Sequence, residues 1–328
     1  MKGSTFHNQE ILIHPISIGF RFPGVLALVI TVLFATTSTP AQERKIEYIP
    51  TKLSDSLTML KGQGGNIVIS AGEDGVYVID DQLKPLTDQF LVAVREISSQ
   101  PIRFVINTHF HPDHVGGNEA IGKGGAVIIA HDNIRKRMST EQVNLFFPRT
   151  TPAWPKDALP LVTFNDQVTL HFNGETAEVH HVPHGHTDGD SIVHFPASDV
   201  IHMGDLYFNG LYPYIDLDAG GNIEGMIAGV QLGVSIAGED TQIIPGHGPL
   251  SNKANLAEYL DFLVTARNNV QKLIDQGKSL EETVAARPTA QWDATLGAVW
   301  ITPEQLVIFI YNSLKGIAKF TPLNADDE

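Results

Sequence analysis

The stretch NTHFHPDHVGG, residues 107–117, follows directly on the apolar run IRFVI, residues 102–106. The run is rich in β-branched and aromatic residues, which predicts a buried strand. His109, His111 and Asp113 alternate along the chain, so in an extended segment their side chains point the same way. The proline among them stiffens the backbone, and the closing pair of glycines allows a sharp turn. The stretch therefore predicts a strand that ends in a loop rich in metal-binding side chains.

The composition narrows the class of protein. The chain has 328 residues, 42% of them hydrophobic, which is enough for a sizeable core. It contains no cysteine, which excludes disulfides, thiolate zinc fingers and a cysteine nucleophile. Its formal net charge of −15 disfavours general binding to nucleic acid. We therefore expect no nucleic-acid partner and leave the oligomeric state open.

The N-terminal segment resembles an export signal. The apolar run VLALVITVLFA, residues 25–35, has signal-peptide length and is short for a transmembrane helix. Arg21 precedes it, and Ala41 follows as a small residue suited to cleavage. We predict a signal peptide over residues 1–41, a mature chain over 42–328 that is periplasmic or secreted, and no stable membrane association after cleavage. An uncleaved membrane anchor is the alternative.

The remainder of the chain is predicted to be mixed α/β. Apolar runs and turn signals predict short strands at 66–70, 75–80, 126–130, 167–172, 176–182, 190–195 and 199–203. Helical spacing of apolar residues predicts helices at 85–98, 133–146 and 223–237, and a mostly helical part over 253–328. The proline-rich segment 150–160 is predicted to be a loop. No linker divides the mature chain, so we expect a single domain.

Three further segments end a predicted strand with a potential metal ligand. They are VPHGHTDGDS (182–191) with His186, MGDLYF (203–208) with Asp205, and IPGHGPL (244–250) with His247. Loops that follow strand ends commonly carry active-site residues. One such segment would be weak evidence, whereas four in order along the chain predict a common site.

These four segments together resemble the metallo-β-lactamase superfamily. The residues that match are the H-x-H-x-D-H motif at His109, His111, Asp113 and His114, then Gly185-His186-Thr187, Gly204-Asp205 and Pro245-Gly246-His247-Gly248. The resemblance covers residues from about 60 to 250. It implies an α/β fold, a four-layer αβ/βα sandwich of two mixed sheets flanked by helices, with metals at one edge of the sheets.

The resemblance also implies a dinuclear zinc site. It assigns His109, His111 and His186 to a first zinc, and Asp113, His114 and His247 to a second. Asp205 is implied to bridge the two or to complete the second site. Such a pair of metals holds a hydroxide that attacks a carbonyl carbon. Asp113 is implied as the catalytic residue that orients this nucleophile and shuttles a proton to the leaving group.

The substrate is less defined than the reaction. Asp205 stands where one branch of true metallo-β-lactamases has a cysteine, and the segment 205–216 lacks the basic residue of that branch. We predict a zinc-dependent hydrolase that cleaves an amide or ester bond of a small cyclic or acyl compound, with β-lactams among the candidates. A glyoxalase II-like thioesterase or a lactonase is the alternative. A phosphodiesterase is disfavoured by the acidic composition, and a non-catalytic zinc-binding protein remains a further alternative.

Four side chains are candidates for the substrate pocket. They are Trp154, His184, Tyr207 and Tyr212. Ordinary packing is the competing interpretation for the aromatic residues, including the neighbouring Phe208 and Tyr214. His184 is also the alternative to His186 as a ligand, and the Thr-Asp-Gly that follows His186 favours His186.

Overall fold

The structure is a computed structural model that describes residues 46–297, 299–321 and 323. The predicted signal peptide over residues 1–41 lies outside the described residues and stays a prediction. Among the helices that the structure describes, none combines the length and the apolar character needed to cross a membrane.

Strands and short helices alternate through the first two thirds of the described chain, and longer helices follow. The strands are β1 (Ile49–Lys52), β2 (Leu57–Lys61), β3 (Ile67–Gly72), β4 (Gly75–Ile79), β5 (Ile102–Ile106), β6 (Val127–His131), β7 (Gln142–Asn144), β8 (Arg149–Thr151), β9 (Val162–Phe164), β10 (Gln167–Phe172), β11 (Glu175–His181), β12 (Ser191–Phe195), β13 (Val200–His202), β14 (Gln242–Ile244) and β15 (Ser251–Asn252). The helices are α1 (Thr87–Ile97), α2 (Pro112–Val115), α3 (Asn118–Lys123), α4 (Asp132–Met138), α5 (Ile223–Ile236), α6 (Lys253–Asp275), α7 (Leu280–Ala285), α8 (Ala290–Asp293) and α9 (Pro303–Leu314).

Two mixed sheets form the centre of the fold. The first has the strand order β1-β2-β3-β4-β5-β6-β9, and β4, β5, β6 and β9 run parallel. The second has the order β10-β11-β12-β13-β14-β15, with β13 and β14 parallel. Strands β7 and β8 pair only with each other, as a hairpin outside both sheets. The predicted mixed α/β class is confirmed.

The central strands bury both of their faces. In β4, Tyr77 and Ile79 pack into the cluster between the two sheets, whereas Val76 and Val78 pack beneath α1. In β12, Phe195 faces the other sheet and Ile192 faces helices α5, α6 and α9. Because side chains alternate along a strand, two buried faces require nearly continuous apolar runs. The layers are therefore helix, sheet, sheet and helix, as the family resemblance implied.

One predicted helix is much shorter in the structure. The helix expected over 133–146 ends at Met138, and residues 142–144 form strand β7 instead. The reason is tertiary: the Asn144 side chain donates a hydrogen bond of 2.7 Å to the Tyr214 hydroxyl. The backbone N–H of Leu145 donates to Asp218, also at 2.7 Å. These bonds to a distant loop outweigh the local helical pattern.

The ends of several strands meet at one edge of the two sheets. The carboxyl ends of β4 and β5 lie together because the two strands are parallel, and the same holds for β13 and β14. Strand β11 runs in the same direction as β13, since each is antiparallel to β12. A backbone hydrogen bond of 2.8 Å from Ser191 to Thr108 joins the two sheets at this edge. The loops that carry the candidate ligands therefore converge.

Candidate metal centre

The loop after β5 is shaped by close backbone packing. Pro112 begins α2, a position that suits proline because the first helical N–H has no partner within the helix. The turn then presses against the segment that follows β4. A Cβ on Gly116 would lie 2.2 Å from the Lys84 backbone nitrogen, so only glycine fits. The loop is thereby fixed with its ligand side chains at the edge of the sheets.

The structure brings all seven predicted ligands together in two groups. Within each group, the candidate ligand atoms lie within 4.8 Å of one another. One group contains His109, His111, His186 and Asp205, and the other contains Asp113, His114 and His247.

Asp205 lies between the two groups. Its Oδ1 is 3.2 Å from Nε2 of His114, and its Oδ2 is 3.3 Å from Nε2 of His247. The same Oδ2 is 3.5 Å from Nε2 of His186. A Cβ on Gly246 would lie 2.0 Å from Asp205 Oδ1, so the His247 loop can approach this closely only with glycine there. This placement favours the bridging role over a place in the second site alone.

The donor atoms fit a divalent metal. Among the described residues, Nε2 of His109, Nε2 of His114 and Oδ1 of Asp205 are buried without a hydrogen-bond partner. Buried polar atoms are rarely left unsatisfied, because desolvation without a partner is costly. Nε2 of His186 and Nδ1 of His111 lie 2.7 Å apart, so two neutral lone pairs there need a proton or a cation between them. Imidazole nitrogens and carboxylate oxygens are the ligands expected of zinc in a cysteine-free site.

The other ring nitrogens of four ligands have partners within the protein. His114 Nδ1 donates to Asp80 at 2.7 Å and His111 Nε2 to Asp216 at 2.8 Å. The other two partners are the Tyr214 carbonyl oxygen, 2.7 Å from His186 Nδ1, and the Thr108 hydroxyl, 3.1 Å from His109 Nδ1. Such partners fix the tautomer and orient the ring, so that the opposite nitrogen is free for a metal.

Asp80 supports two parts of the site at once. Its Oδ1 accepts the Thr108 N–H at 2.7 Å, and its Oδ2 accepts the Thr108 hydroxyl as well as His114 Nδ1, each at 2.7 Å. The sequence analysis did not identify this residue. A signal was present, because Asp80 and Asp81 follow the strand 75–79 directly, just as the ligand loop follows 102–106.

A cavity of about 330 Å³ opens onto the metal centre. Asp113, Asp205, His111 and His247 form its floor. The other residues that line it are Gln63, Pro112, Asn144, Phe147, Arg149, Leu211, Tyr214 and Trp300. The centre is therefore accessible to a small molecule.

Comparisons with known proteins agree with this geometry. A family model described as the metallo-beta-lactamase superfamily matches residues 55–258. The chain belongs to this superfamily.

Curated relatives include two enzymes named hydroxyacylglutathione hydrolase. The one from Hyphomonas neptunium is 30% identical over 150 residues, which is 45% of this chain and 44% of that protein. The one from Erythrobacter litoralis is 32% identical over 108 residues, 33% of this chain and 35% of that protein. The chain thus spans less than half the length of these relatives.

Solved structures with a similar fold include two that differ widely from this chain in sequence. A metallo-beta-lactamase from Pontibacter korlensis has a TM-score of 0.54 at 20% identity, covering 66% of this chain and 99% of that one. A sec-alkylsulfatase from Pseudomonas sp. has a TM-score of 0.63 at 16% identity, covering 85% of this chain and 52% of that one. At these identities the likeness shows the fold alone. The predicted superfamily and fold are confirmed.

The segment 182–191 contains two histidines, His184 and His186, that were alternative candidates for the metal ligand. His186 is fully buried in the ligand group, whereas His184 is exposed and bonds the Gly220 carbonyl oxygen at 2.9 Å. His184 therefore does not join the ligands, in agreement with the preference for His186, and it does not line the cavity. Trp154 lines a second, narrower cavity beside His111.

Tyr207 and Tyr212 are not in the predicted pocket. They are 1% and 0% exposed in the core beneath α6. The Tyr207 hydroxyl bonds the Ser251 hydroxyl at 2.9 Å, and the Tyr212 hydroxyl donates to Asp293 at 3.0 Å. Large aromatic side chains gain more from burial when their hydroxyls find a partner. Tyr214, from the same segment, lines the cavity.

Charge is distributed unequally between the two ligand groups. Burial, together with the neighbouring His111, lowers the pKa of His186 to about 4. Burial also holds the pKa of His109 well below its ordinary value. Burial opposes the charged form of His247 too, but Asp205 and Asp113 outweigh it and raise that pKa to about 10. The pKa of His114 is raised in the same way, against burial, by Asp205, Asp113 and Asp80.

Replacing Asp80 should weaken metal binding at the second group. In the parent chain a carboxylate oxygen of Asp80 accepts the proton on His114 Nδ1, which leaves Nε2 free for a metal. In Asp80→Asn the amide NH₂ can occupy that position. It cannot accept this proton, so the tautomer with a free Nε2 is less favoured. We expect zinc affinity at one of the two sites to fall about 10- to 100-fold in a calorimetric titration. The matched control is Asp81→Asn. Asp81 is equally buried, burial raises its pKa well above the ordinary value, and it bonds the Gly117 N–H rather than a ligand. Equal losses in both variants would contradict the role of Asp80.

Zinc binding at the second group should depend more steeply on pH. Without metal, the raised pKa values keep His114 and His247 protonated at neutral pH, so zinc must displace their protons. His109 and His186 are already neutral there. Below the raised pKa values, the affinity of the second site should therefore rise with pH by about tenfold per unit for each proton released. Calorimetric titrations in buffers of different ionisation enthalpy count these protons. Equal proton release in both binding steps would refute the assignment.

Proposed function

We propose that the chain is a zinc-dependent hydrolase that cleaves an amide or ester bond of a small cyclic or acyl compound. The observation that carries this proposal is the pair of ligand groups that share Asp205 at the floor of an open cavity. A structural zinc site is usually closed, whereas four of the seven candidate ligand residues here line an open cavity. β-Lactams are among the candidate substrates.

Seven side chains would hold the two zinc ions. His109, His111 and His186 would hold the first zinc, Asp113, His114 and His247 the second, and Asp205 would contact both. When bound, the two zinc ions would supply a water of lowered pKa and would polarise the scissile carbonyl group.

Asp113 is the side chain best placed to move a proton. Its carboxylate is 25% exposed and lines the cavity, whereas Asp205 is only 4% exposed. Burial favours the neutral acid, but the charges of His114 and His247 outweigh it and hold the pKa of Asp113 well below its ordinary value. Asp113 is thus ionised, and its partly exposed carboxylate is placed to orient a water and to relay a proton to the leaving group.

A thioesterase is the second candidate. It is favoured by the names of the curated relatives, which are hydroxyacylglutathione hydrolases. The chemistry of the site would be the same, because a thioester differs from an ester in its leaving thiol. A lactonase also uses the same groups. The cavity fits a small molecule, and the net charge of −15 disfavours a nucleic-acid substrate.

The function is tested by a hydrolysis panel on the zinc-loaded chain. Substrates are β-lactams, lactones, thioesters and phosphodiesters, and elemental analysis counts the zinc. We expect about two zinc ions per chain, because the ligand residues form two groups, and turnover of at least one acyl compound, because a metal-bound water of lowered pKa is a nucleophile. Two zinc ions with no acyl turnover would favour the non-catalytic zinc-binding protein. A single ion at full activity would refute the dinuclear site.

Asp113→Asn should reduce turnover strongly. The amide keeps the size of the side chain but cannot accept the proton, so kcat should fall about 100-fold or more. Second-site zinc should also bind more weakly. The control is Asp157→Asn, at an exposed position outside the cavity. Near-normal kcat in Asp113→Asn with two zinc ions bound would remove Asp113 from the mechanism.

Asp205→Ala should lose activity and regain part of it in excess zinc, because mass action refills a weakened site.

A further inference from the structure

The β7–β8 hairpin forms one wall of the cavity at the metal centre. Asn144, Phe147 and Arg149 of this hairpin line it. Asn144 and Arg149 also line the narrower cavity beside His111. The hairpin belongs to neither main sheet, so its side chains contribute to the site without carrying the fold.

The hairpin is nevertheless fixed in place. The Asn144 amide donates to the Tyr214 hydroxyl at 2.7 Å and to Asp216 at 3.3 Å. The Leu145 N–H donates to Asp218 at 2.7 Å. Since Asp216 also accepts from the ligand His111, the hairpin and the metal centre share one buried carboxylate. The position of Arg149 relative to the metal centre is therefore defined.

Arg149 carries an unneutralised positive charge. Within residues 46–297, 299–321 and 323, its guanidinium makes no hydrogen bond or ion pair, and it is the one such cation among the arginines and lysines that line the two cavities. The other lining arginine, Arg137, is held by both oxygens of Asp188 at 2.7 Å each.

The acidic side chains of the two cavities are also engaged. Asp216 and Asp218 accept hydrogen bonds from the hairpin, and Asp113 and Asp205 face the ligand histidines. They are therefore not free partners for Arg149. Because a guanidinium is positively charged throughout the physiological pH range, it can bind an anion there at any pH.

Three aromatic rings form the wall beside Arg149. Phe147 lies 5.3 Å from Tyr214 and 6.1 Å from Trp300, and Tyr214 lies 6.1 Å from Trp300, all between ring centroids. Phe147 and Trp300 are 38% and 41% exposed. Exposed aromatic surface that lines a cavity usually binds the apolar part of a ligand.

We propose that the substrate carries an oxyanion that binds Arg149 and an aromatic or extended apolar group that packs on Phe147, Tyr214 and Trp300. This inference rests on the proposed function and names its substrate class, an amphiphilic acyl compound with a carboxylate-like group. A planar guanidinium matches a carboxylate because it can donate two parallel hydrogen bonds. The segment 205–216 lacks a basic residue, and the hairpin supplies one from elsewhere in the chain.

The test compares two ligands that are not hydrolysed. 4-Phenylbutyrate and 4-phenylbutanol differ only in the terminal carboxylate or alcohol, and each is titrated into the zinc-loaded protein by calorimetry. Five proteins are compared: the parent chain, Arg149→Gln, Arg149→Lys, Trp300→Ala and the control Arg95→Gln. Arg95 is exposed at the end of α1 and outside both cavities, so its removal changes the net charge equally. Because binding needs no turnover, this result is independent of the hydrolysis panel.

We expect the parent chain and Arg95→Gln to bind the carboxylate about fivefold more tightly than the alcohol. Arg149→Gln should lose this preference, and Arg149→Lys should keep part of it, since an ammonium lacks the paired geometry. Trp300→Ala should weaken both ligands to a similar degree. Equal affinities in the parent chain would overturn the inference. So would a preference that survives in Arg149→Gln, because the metals would then be holding the anion.

Discussion

The charge balance around Asp205 is the constraint on which the site depends. A carboxylate that is 4% exposed lies within 3.7 Å of the ring nitrogens of four histidines. Buried ionised groups are tolerated only when opposite charge compensates them. In the metal-free protein, protons on His114 and His247 supply that compensation, which is why burial fails to lower their pKa. The same geometry accepts metal cations in place of those protons.

The fold was predictable from the sequence because its central strands are buried on both faces. The strand predicted over 102–106 begins and ends as in the structure. So does the strand over 167–172, although it is an edge strand in which exposed and half-buried residues alternate. The errors occur where distant contacts decide the structure. Residues 142–144 continue a helical pattern, yet Asn144 is drawn to Tyr214 and the segment becomes a strand. Short edge strands such as β1 and β9 were not predicted either, since three or four residues carry too little periodicity.

The convergence of the candidate metal ligands was predictable because each of them follows a strand and lies in a local motif. The residues that support or surround them were harder to find. Asp80 had a local signal, but Arg149 and Trp300 reach the cavity only through the folding of a hairpin and of a segment near the C-terminus. Tyr207 and Tyr212 were assigned to the pocket because they are adjacent in sequence to a ligand. Proximity in sequence does not determine which way a side chain points, and both side chains are buried in the core.

The ligands come from both halves of the sandwich, which has a mechanical consequence. His109, His111, Asp113 and His114 follow a strand of the first sheet, whereas His186, Asp205 and His247 follow strands of the second. Bound cations would act as a cross-link between segments that lie far apart in the chain. Anything that binds only the folded state stabilises it by mass action. Metal loading should therefore hold the open edge of the sandwich together, in addition to the apolar cluster that packs the two sheets against each other without metal.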